Sequence, residues 1–287
     1  MELNMLMLKK LIETALAEDI GTGDITTNSI VPVGAVTKGI IYAKEAGIIA
    51  GIPVAEAVFR YLAPDIRFSA RLQDGACLEP GSVIAEVEGD ARVILTGERL
   101  ALNFLQRMSG IATRTAALVE KVKLYPTRVV DTRKTTPGLR MLEKYAVRVG
   151  GGFNHRFGLY DAVLIKDNHI KVSGGITPAV LAARQNVPHT VKIEVEAESL
   201  GGVSEALEAR ADVIMLDNMD PATMREAVKL VDGRALVEAS GSINEETIMA
   251  AAKAGVDLIS VGALTHSIKS LDISLDIGEI KFQAGKP

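Results

Sequence analysis

Six short β-branched runs in this sequence are each followed by charged or hydroxyl residues. Asp131-Thr-Arg133-Lys134-Thr-Thr136 ends the first run and Lys166-Asp167-Asn168-His169 the second. The third carries Glu194 and Glu196, and the fourth ends in Asp217-Asn218. Glu238-Ala-Ser240-Gly241-Ser242 ends the fifth and Gly262-Ala-Leu-Thr265-His266-Ser267 the sixth. One charged strand end would mean little. Six in succession point to function, because burying unpaired charge is costly and the C-terminal strand ends of parallel βα folds form the ligand face.

The residue types narrow the chemistry. Arg133, Lys134, Arg156 and Lys166 are cations, and His155 and His169 become cations on protonation. Glu196, Asp217 and Glu238 are anions. Such a face suits a polyanionic substrate gripped by arginine forks and lysines, with a divalent ion such as Mg²⁺ near the acids. Ser240-Gly-Ser242 and Val261-Gly-Ala263 are glycine- and hydroxyl-rich strand ends that suit a phosphate held by backbone N–H groups. Gly150-Gly-Gly152 is no helix interior. It reads as a loop that carries His155 and Arg156 over the strand ends.

The elements that must position these groups follow from periodicity. The runs start near residues 129, 162, 191, 213, 235 and 258, and the last four are about 22 residues apart, one βα unit each. Continuous apolar runs alternating with Ala/Leu-rich stretches predict parallel strands buried on both faces. A complete eight-stranded barrel would need two more strands, so an open, incomplete βα barrel is expected over residues 113–270. Residues 25–95 read differently, as strands broken by Glu45-Ala-Gly47, Asp74-Gly75 and Pro80-Gly81, with a helix from Val54 to Tyr61. Together with an amphipathic N-terminal helix (Leu8, Ile12, Ala15 and Leu16 on one face, Gly21 as its cap) they predict an α+β first domain over residues 1–112. The tail, 271–287, is expected to pack back on it. Leu100, Phe104, Leu105, Met108, Ile111 and Ala112 recur at helical spacing, with Ser109-Gly110 as an expected break.

Composition sets bounds. The chain has 287 residues, 48% hydrophobic and 24% charged, with formal net charge −4. That is too apolar for disorder and too acidic for a broad nucleic-acid face. A single cysteine, Cys77, allows no intrachain disulfide and suits a reducing compartment. No apolar stretch is long enough for a membrane span and no signal-peptide pattern opens the chain, so a cytoplasmic protein is expected.

Taken in order, the motifs resemble the quinolinate phosphoribosyltransferase family. The central match runs from Asp131-Thr-Arg-Lys-Thr-Thr-Pro-Gly-Leu-Arg140 through Glu143-Lys-Tyr-Ala-Val147 and Gly150–Arg156 to Asp161-Ala-Val-Leu-Ile-Lys-Asp-Asn-His169. Gly21–Thr27, Glu98–Thr113, Ile193–Glu196, Met215–Asn218, Glu238–Gly241 and Val261–His266 extend it over nearly the whole chain. The resemblance implies an α/β fold, with an N-terminal α/β sandwich, an open βα barrel and a homodimer whose sites lie at the subunit interface. It implies transfer from phosphoribosyl pyrophosphate to quinolinate with loss of CO2, assisted by Mg²⁺ or Mn²⁺. By motif position, Arg133, His155, Arg156 and Lys166 resemble the residues that hold quinolinate, and Arg99 the arginine donated by the neighbouring subunit. Lys134, Glu196 and Asp217 resemble catalytic groups, the two acids facing ribose and metal. Ser240, Gly241, Gly262 and His266 resemble the phosphate end, and Glu238 belongs to the same substrate-binding set.

Simpler roles exist for several of these residues. Lys134 and Lys166 could form rim salt bridges, Arg99 a solvated helix face, and Thr265-His266-Ser267 a helix cap. Cys77 reads as inert packing, and His189 has no motif. Three other functions compete: a Schiff-base aldolase using Lys134 or Lys166, a non-catalytic binding protein, and a sister transferase for nicotinate or another acid. Five groups able to bind anions (Arg99, Arg133, His155, Arg156, Lys166) favour a dicarboxylate over a monocarboxylate.

Overall fold

The computed structural model describes residues 3–280 and divides into two compact units. The first comprises the chain up to Arg114, Pro137–Gly150 and the segment from Ile268 on; the second comprises Thr115–Thr136 and Gly151–Ser267.

In chain order the first unit contributes α1 (Met5–Ile20), α2 (Ile25–Ile30), β1 (Val36–Ala43), β2 (Gly47–Ile48), α3 (Ile52–Leu62), β3 (Arg67–Ala70), β4 (Cys77–Leu78), β5 (Val83–Asp90) and the start of α4 (Ala91–Val122). Asn4 caps α1 by accepting the Leu6 and Met7 amides, and Leu8, Ile12 and Leu16 form its buried stripe. An antiparallel sheet runs β12-β1-β5-β3, where β12 is Ile273–Ile277. Ile41, Ala43, Ala85 and Val87 from this sheet and Val54, Val58 and Phe59 from α3 are fully buried. The part of the tail beyond Ile280 lies outside the described residues. Asp74 accepts the Gly51 and Ile52 amides and so supplies the start of α3 with the cap that Gly51 lacks.

Two sequence expectations fail in this unit. Ser109-Gly110 does not break the helix, because α4 is continuous for 32 residues. Ser109 instead accepts the Ala50 amide at 3.0 Å, and a Cβ on Gly110 would fall 2.1 Å from the Lys269 carbonyl. The pair is small so that two backbones can approach the helix. Cys77 is exposed rather than packed. On the two-residue β4, strand alternation turns Leu78 inward and Cys77 outward.

Among the described residues the second unit holds six strands in one parallel sheet, in the order β6-β11-β10-β9-β8-β7. They are β6 (Arg128–Val130), β7 (Val163–Ile165), β8 (Ile193–Ala197), β9 (Val213–Asp217), β10 (Leu236–Ser240) and β11 (Leu258–Ser260). Each coincides with one of the six runs read from the sequence. Helix α5 (Arg140–Val149) follows β6 in the chain and clusters with the first unit. Helices α6 (Asp167–Ser173), α7 (Ile176–Asn186), α8 (Leu200–Glu208), α9 (Pro221–Val231), α10 (Ile248–Ala254) and α11 (Ala263–His266) follow the later strands. The sheet curls, since Val130, Val163, Glu194, Val213, Glu238 and Leu258, one residue from each strand, line a single interior cleft. The Gly150–Gly152 loop is no loose connection: Phe153 forms a parallel bridge with Val130 on the outer side of β6. No helix among the described residues is long and apolar enough to cross a membrane.

Candidate active site

Strand alternation decides which side chains enter the curled sheet. The registers Leu164↔Glu194, Glu194↔Val213, Glu196↔Met215, Glu238↔Met215 and Ser240↔Asp217 put these residues on one face in stacked layers. Lys166, Glu196, Asp217 and Ser240 stand at the C-terminal ends of their strands, and Leu164, Glu194, Met215 and Glu238 each lie two residues earlier on the same face.

A pocket of about 300 Å³ opens at the C-terminal strand ends, and it collects Arg133, Lys134, His155, Arg156, Lys166, Glu238 and Ser240. Seven residues that the sequence reading singled out therefore share one cavity. Thr132, Leu164, Met215 and Ser260 also line it. The sequence reading missed these four, although period-two alternation with their charged strand neighbours could have found them.

Backbone contacts fix the cationic side chains. Asp131, fully buried, accepts the His155 amide at 2.9 Å and the Asn154 side-chain amide at 2.6 Å, which holds the loop over the sheet. Arg156 donates through Nη1 to the Ala162 carbonyl at 3.1 Å. Burial, and then the charge of Arg133, lower the Arg156 pKa, while Glu194 and Asp161 oppose the shift. Lys134 is held by α11 and its N-cap: Thr265 donates to its carbonyl at 2.8 Å, and a Cβ on Gly262 would lie 3.0 Å from its Cδ. Gly262 thus leaves room for the Lys134 stem and for the His266 ring, 3.2 Å from the same point. His169 is a backbone clamp rather than a pocket cation: its Nδ1 accepts the Lys166 amide at 2.9 Å at the start of α6.

The acids lie at neighbouring strand ends. Glu196, nearly buried, accepts from Lys166 Nζ at 3.0 Å. Asp217 accepts from the Asn218 side chain at 2.8 Å. Asn218 has φ +53° and its amide donates to the Ser240 carbonyl, so it bends the chain sharply after β9. A Cβ on Gly241 would fall 2.2 Å from Asn218 Oδ1, which is why glycine stands there. Gly241 and Asn218 share a second cavity of about 350 Å³ with Ser242 and Thr247. Arg99 lies on the part of α4 that belongs to the first unit.

Glu194, absent from the expected binding set, sits beside two members of it. His155 Nε2 lies 3.0 Å from Glu194 and 3.5 Å from Glu238. Burial, and then the neighbouring Glu194 charge, raise the Glu238 pKa.

An incomplete α/β barrel with a cation-lined pocket and glycine turns at its strand ends defines a barrel enzyme for a small polyanionic substrate. The quinolinate phosphoribosyl transferase N-terminal domain profile matches residues 24–109, and the C-terminal domain profile matches residues 111–276. The chain belongs to the quinolinate phosphoribosyltransferase family. It is 50% identical over 275 residues to the probable nicotinate-nucleotide pyrophosphorylase [carboxylating] of Bacillus subtilis, covering 96% of this chain and 95% of that protein. It is 49% identical to a protein of the same description from Methanocaldococcus jannaschii, covering 93% of this chain and 96% of the relative. The crystal structure of NadC from Streptococcus pyogenes superposes with a TM-score of 0.93 at 44% identity, over 96% of this chain and 98% of that one.

Proposed function

We infer that this chain carries its family's activity, the decarboxylating transfer of a phosphoribosyl group to quinolinate in NAD biosynthesis, and we propose a role for each site residue. Arg133, Arg156 and Lys166 bind the two carboxylates of quinolinate, with His155 beside them. Charge-assisted hydrogen bonds of this kind contribute about 1.5–3 kcal/mol each. Arg99, supplied by the partner in a homodimer, completes the set, and residues 113–270 form the catalytic domain.

The pyridine nitrogen is the nucleophile, so no protein nucleophile is required. Loss of pyrophosphate builds positive charge at the anomeric carbon, which Glu196 and Asp217 face and stabilise. Lys134 offsets the charge gathering on the leaving group, and Ser240, Gly241, Gly262 and His266 hold the phosphate end, with Glu238 beneath. The nitrogen becomes cationic once alkylated. As CO2 departs, the electron pair of the broken C–C bond stays on the ring carbon, where the adjacent cationic nitrogen stabilises it until a proton from solvent takes the place of the carboxylate; a desolvated pocket favours the loss of CO2.

Glu196 and Asp217 fit Mg²⁺ or Mn²⁺, because both are hard oxygen donors at adjacent strand ends. Among the described residues each has one oxygen engaged, by Lys166 and by Asn218 respectively, which leaves the other for a hydrated ion. When bound with phosphoribosyl pyrophosphate, the ion would neutralise pyrophosphate charge. The proposed compartment is the cytoplasm, in keeping with a single cysteine.

One observation carries this reading: four cationic side chains, Arg133, Lys134, Arg156 and Lys166, line a single 300 Å³ pocket, more than a monocarboxylate needs. The test is product analysis with phosphoribosyl pyrophosphate, Mg²⁺ and either quinolinate or nicotinate. Nicotinate mononucleotide and CO2 are expected from quinolinate alone. Product from nicotinate alone would move the protein to a sister activity.

A further inference from the structure

The group beneath the pocket has a defined protonation pattern. The Arg156 amide donates to His155 Nδ1 at 2.8 Å. A backbone amide has only a proton to give, so Nδ1 carries none. The ring proton therefore sits on Nε2, which faces Glu194 Oε2 at 3.0 Å and Glu238 Oε2 at 3.5 Å. His155 is the neutral Nε2–H tautomer, set by the partners of its two nitrogens.

The acids that face this proton are unusual. Glu238 is fully buried and Glu194 nearly so. Glu194 Oε1 and both Glu238 oxygens have no hydrogen-bond partner among the described residues. Ligand atoms of the two acids and His155 lie within 4.8 Å of one another, and burial, then Glu194, raise the Glu238 pKa. Glu194 then acts on two neighbours. It accepts from His155 Nε2 at 3.0 Å, and through the ring it meets the Arg156 backbone, whose amide donates to the other ring nitrogen. The group also forms a partition: His155, Arg156 and Glu238 line both the 300 Å³ pocket at the strand C-termini and a 370 Å³ cleft at the strand N-termini.

One imidazole and two carboxylates within 4.8 Å of one another could be read as a metal site. The tautomer argues against it. A metal on Nε2 with Nδ1 still accepting an N–H would require an imidazolate, whereas metal-bound histidines donate through their second nitrogen.

We propose that Glu194 is a positioning residue for dicarboxylate binding: by accepting from Nε2–H it fixes the His155 ring, and with it the Arg156 backbone that donates to Nδ1, with Glu238 buried behind it. This rests on the reading that His155 and Arg156 hold quinolinate. It follows that His155 reaches the substrate as an oriented neutral ring and that the charge needed for two carboxylates comes from the arginines and lysines.

The test combines kinetics with a spectroscopic signature, on the full chain with quinolinate, phosphoribosyl pyrophosphate and Mg²⁺. In protein labelled with ¹⁵N-histidine, the signals lost in a His155→Gln variant belong to His155. They are expected to show a protonated Nε2 and an unprotonated Nδ1. Glu194→Leu removes the acceptor and is expected to raise KM for quinolinate about tenfold or more, as for loss of one charge-assisted hydrogen bond, with a much smaller change in KM for phosphoribosyl pyrophosphate. Glu194→Gln keeps an acceptor for Nε2–H and is expected to restore part of the KM. An Nδ1–H or doubly protonated ring in the wild type overturns the proposal without any mutant. So does a Glu194→Leu enzyme with unchanged KM for quinolinate. A His155→Gln enzyme with unchanged KM would instead remove His155 from the binding set, and the wild-type spectrum would still judge the tautomer on its own.

Discussion

Lys166 Nζ and Glu196 Oε2 form an ion pair 3.0 Å apart across the adjacent strands β7 and β8. The two residues are assigned to different substrates, Lys166 to quinolinate and Glu196 to the ribose and metal. On that proposed assignment the pair couples the two half-sites. It is half exposed on the lysine side, so it contributes little to stability, and Lys166 is free to exchange its carboxylate partner when quinolinate enters. Lys166→Ala is expected to lower kcat/KM for quinolinate about tenfold to a hundredfold, mostly through KM. Glu196→Gln is expected to act mainly on kcat, by about a hundredfold, because it faces charge that develops only in the transition state. Steady-state kinetics with each substrate varied in turn separates the two. Equal effects of both variants on KM for quinolinate would argue against the assignment.

Glu238 predicts a pH dependence of folding. Its pKa is raised to about 8 from a reference of 4.5, first by burial and then by Glu194, with His155 opposing. Between these values the folded protein holds a proton that the unfolded chain has released. Stability contributed by this group is thus fully present below about pH 4.5 and falls as pH rises toward 8. Glu238→Gln, an uncharged mimic of the acid, is expected to flatten that slope. Chemical denaturation of both proteins across this range measures it, and parallel curves would show that Glu238 ionises in the fold as it does in water.

The turn after β9 is built around a steric match. Asn218 adopts φ +53°, and Gly241, at φ +93°, leaves its side chain just enough space to reach Asp217. Gly241→Ala is expected to strain the backbone and displace Asn218, at a cost of about 1–3 kcal/mol. KM for phosphoribosyl pyrophosphate should rise more than KM for quinolinate. A calorimetric melt with parallel kinetics checks both effects.

Much of this was legible in the sequence. The six strands of the second unit, the polar groups at their ends, and the pocket shared by Arg133, Lys134, His155, Arg156 and Lys166 follow from apolar runs and the usual placement of barrel sites. Features set by distant backbone were not. Ser109-Gly110 carries the local signature of a helix break, yet it serves the approach of Ala50 and Lys269, which lie 59 and about 160 residues away in the chain. The tautomer of His155 likewise depends on which groups meet its two nitrogens, and residue type does not specify that. Gly110→Ala tests the packing account. Helix propensity alone predicts a gain of about 1 kcal/mol, whereas a Cβ 2.1 Å from a carbonyl oxygen predicts a loss of about 3 kcal/mol. A lowered Tm is expected.

Arg99 gives the sharpest test of a shared site. It lies on α4 in the first unit, and in its proposed role one subunit lends it to the quinolinate site of the other. In a homodimer of that kind, Arg99→Ala and Lys134→Ala damage different chains' contributions to the same pocket. Each variant alone leaves every site defective. After equal mixing and subunit exchange, half of the dimers are hybrids, and each hybrid assembles one site with both residues intact. Activity should then recover to about a quarter of the wild-type value. Native mass spectrometry with one variant isotopically labelled establishes that exchange has occurred, and the transferase assay reads the recovery. Exchanged mixtures that stay as inactive as their parents would show that Arg99 serves the pocket of its own chain.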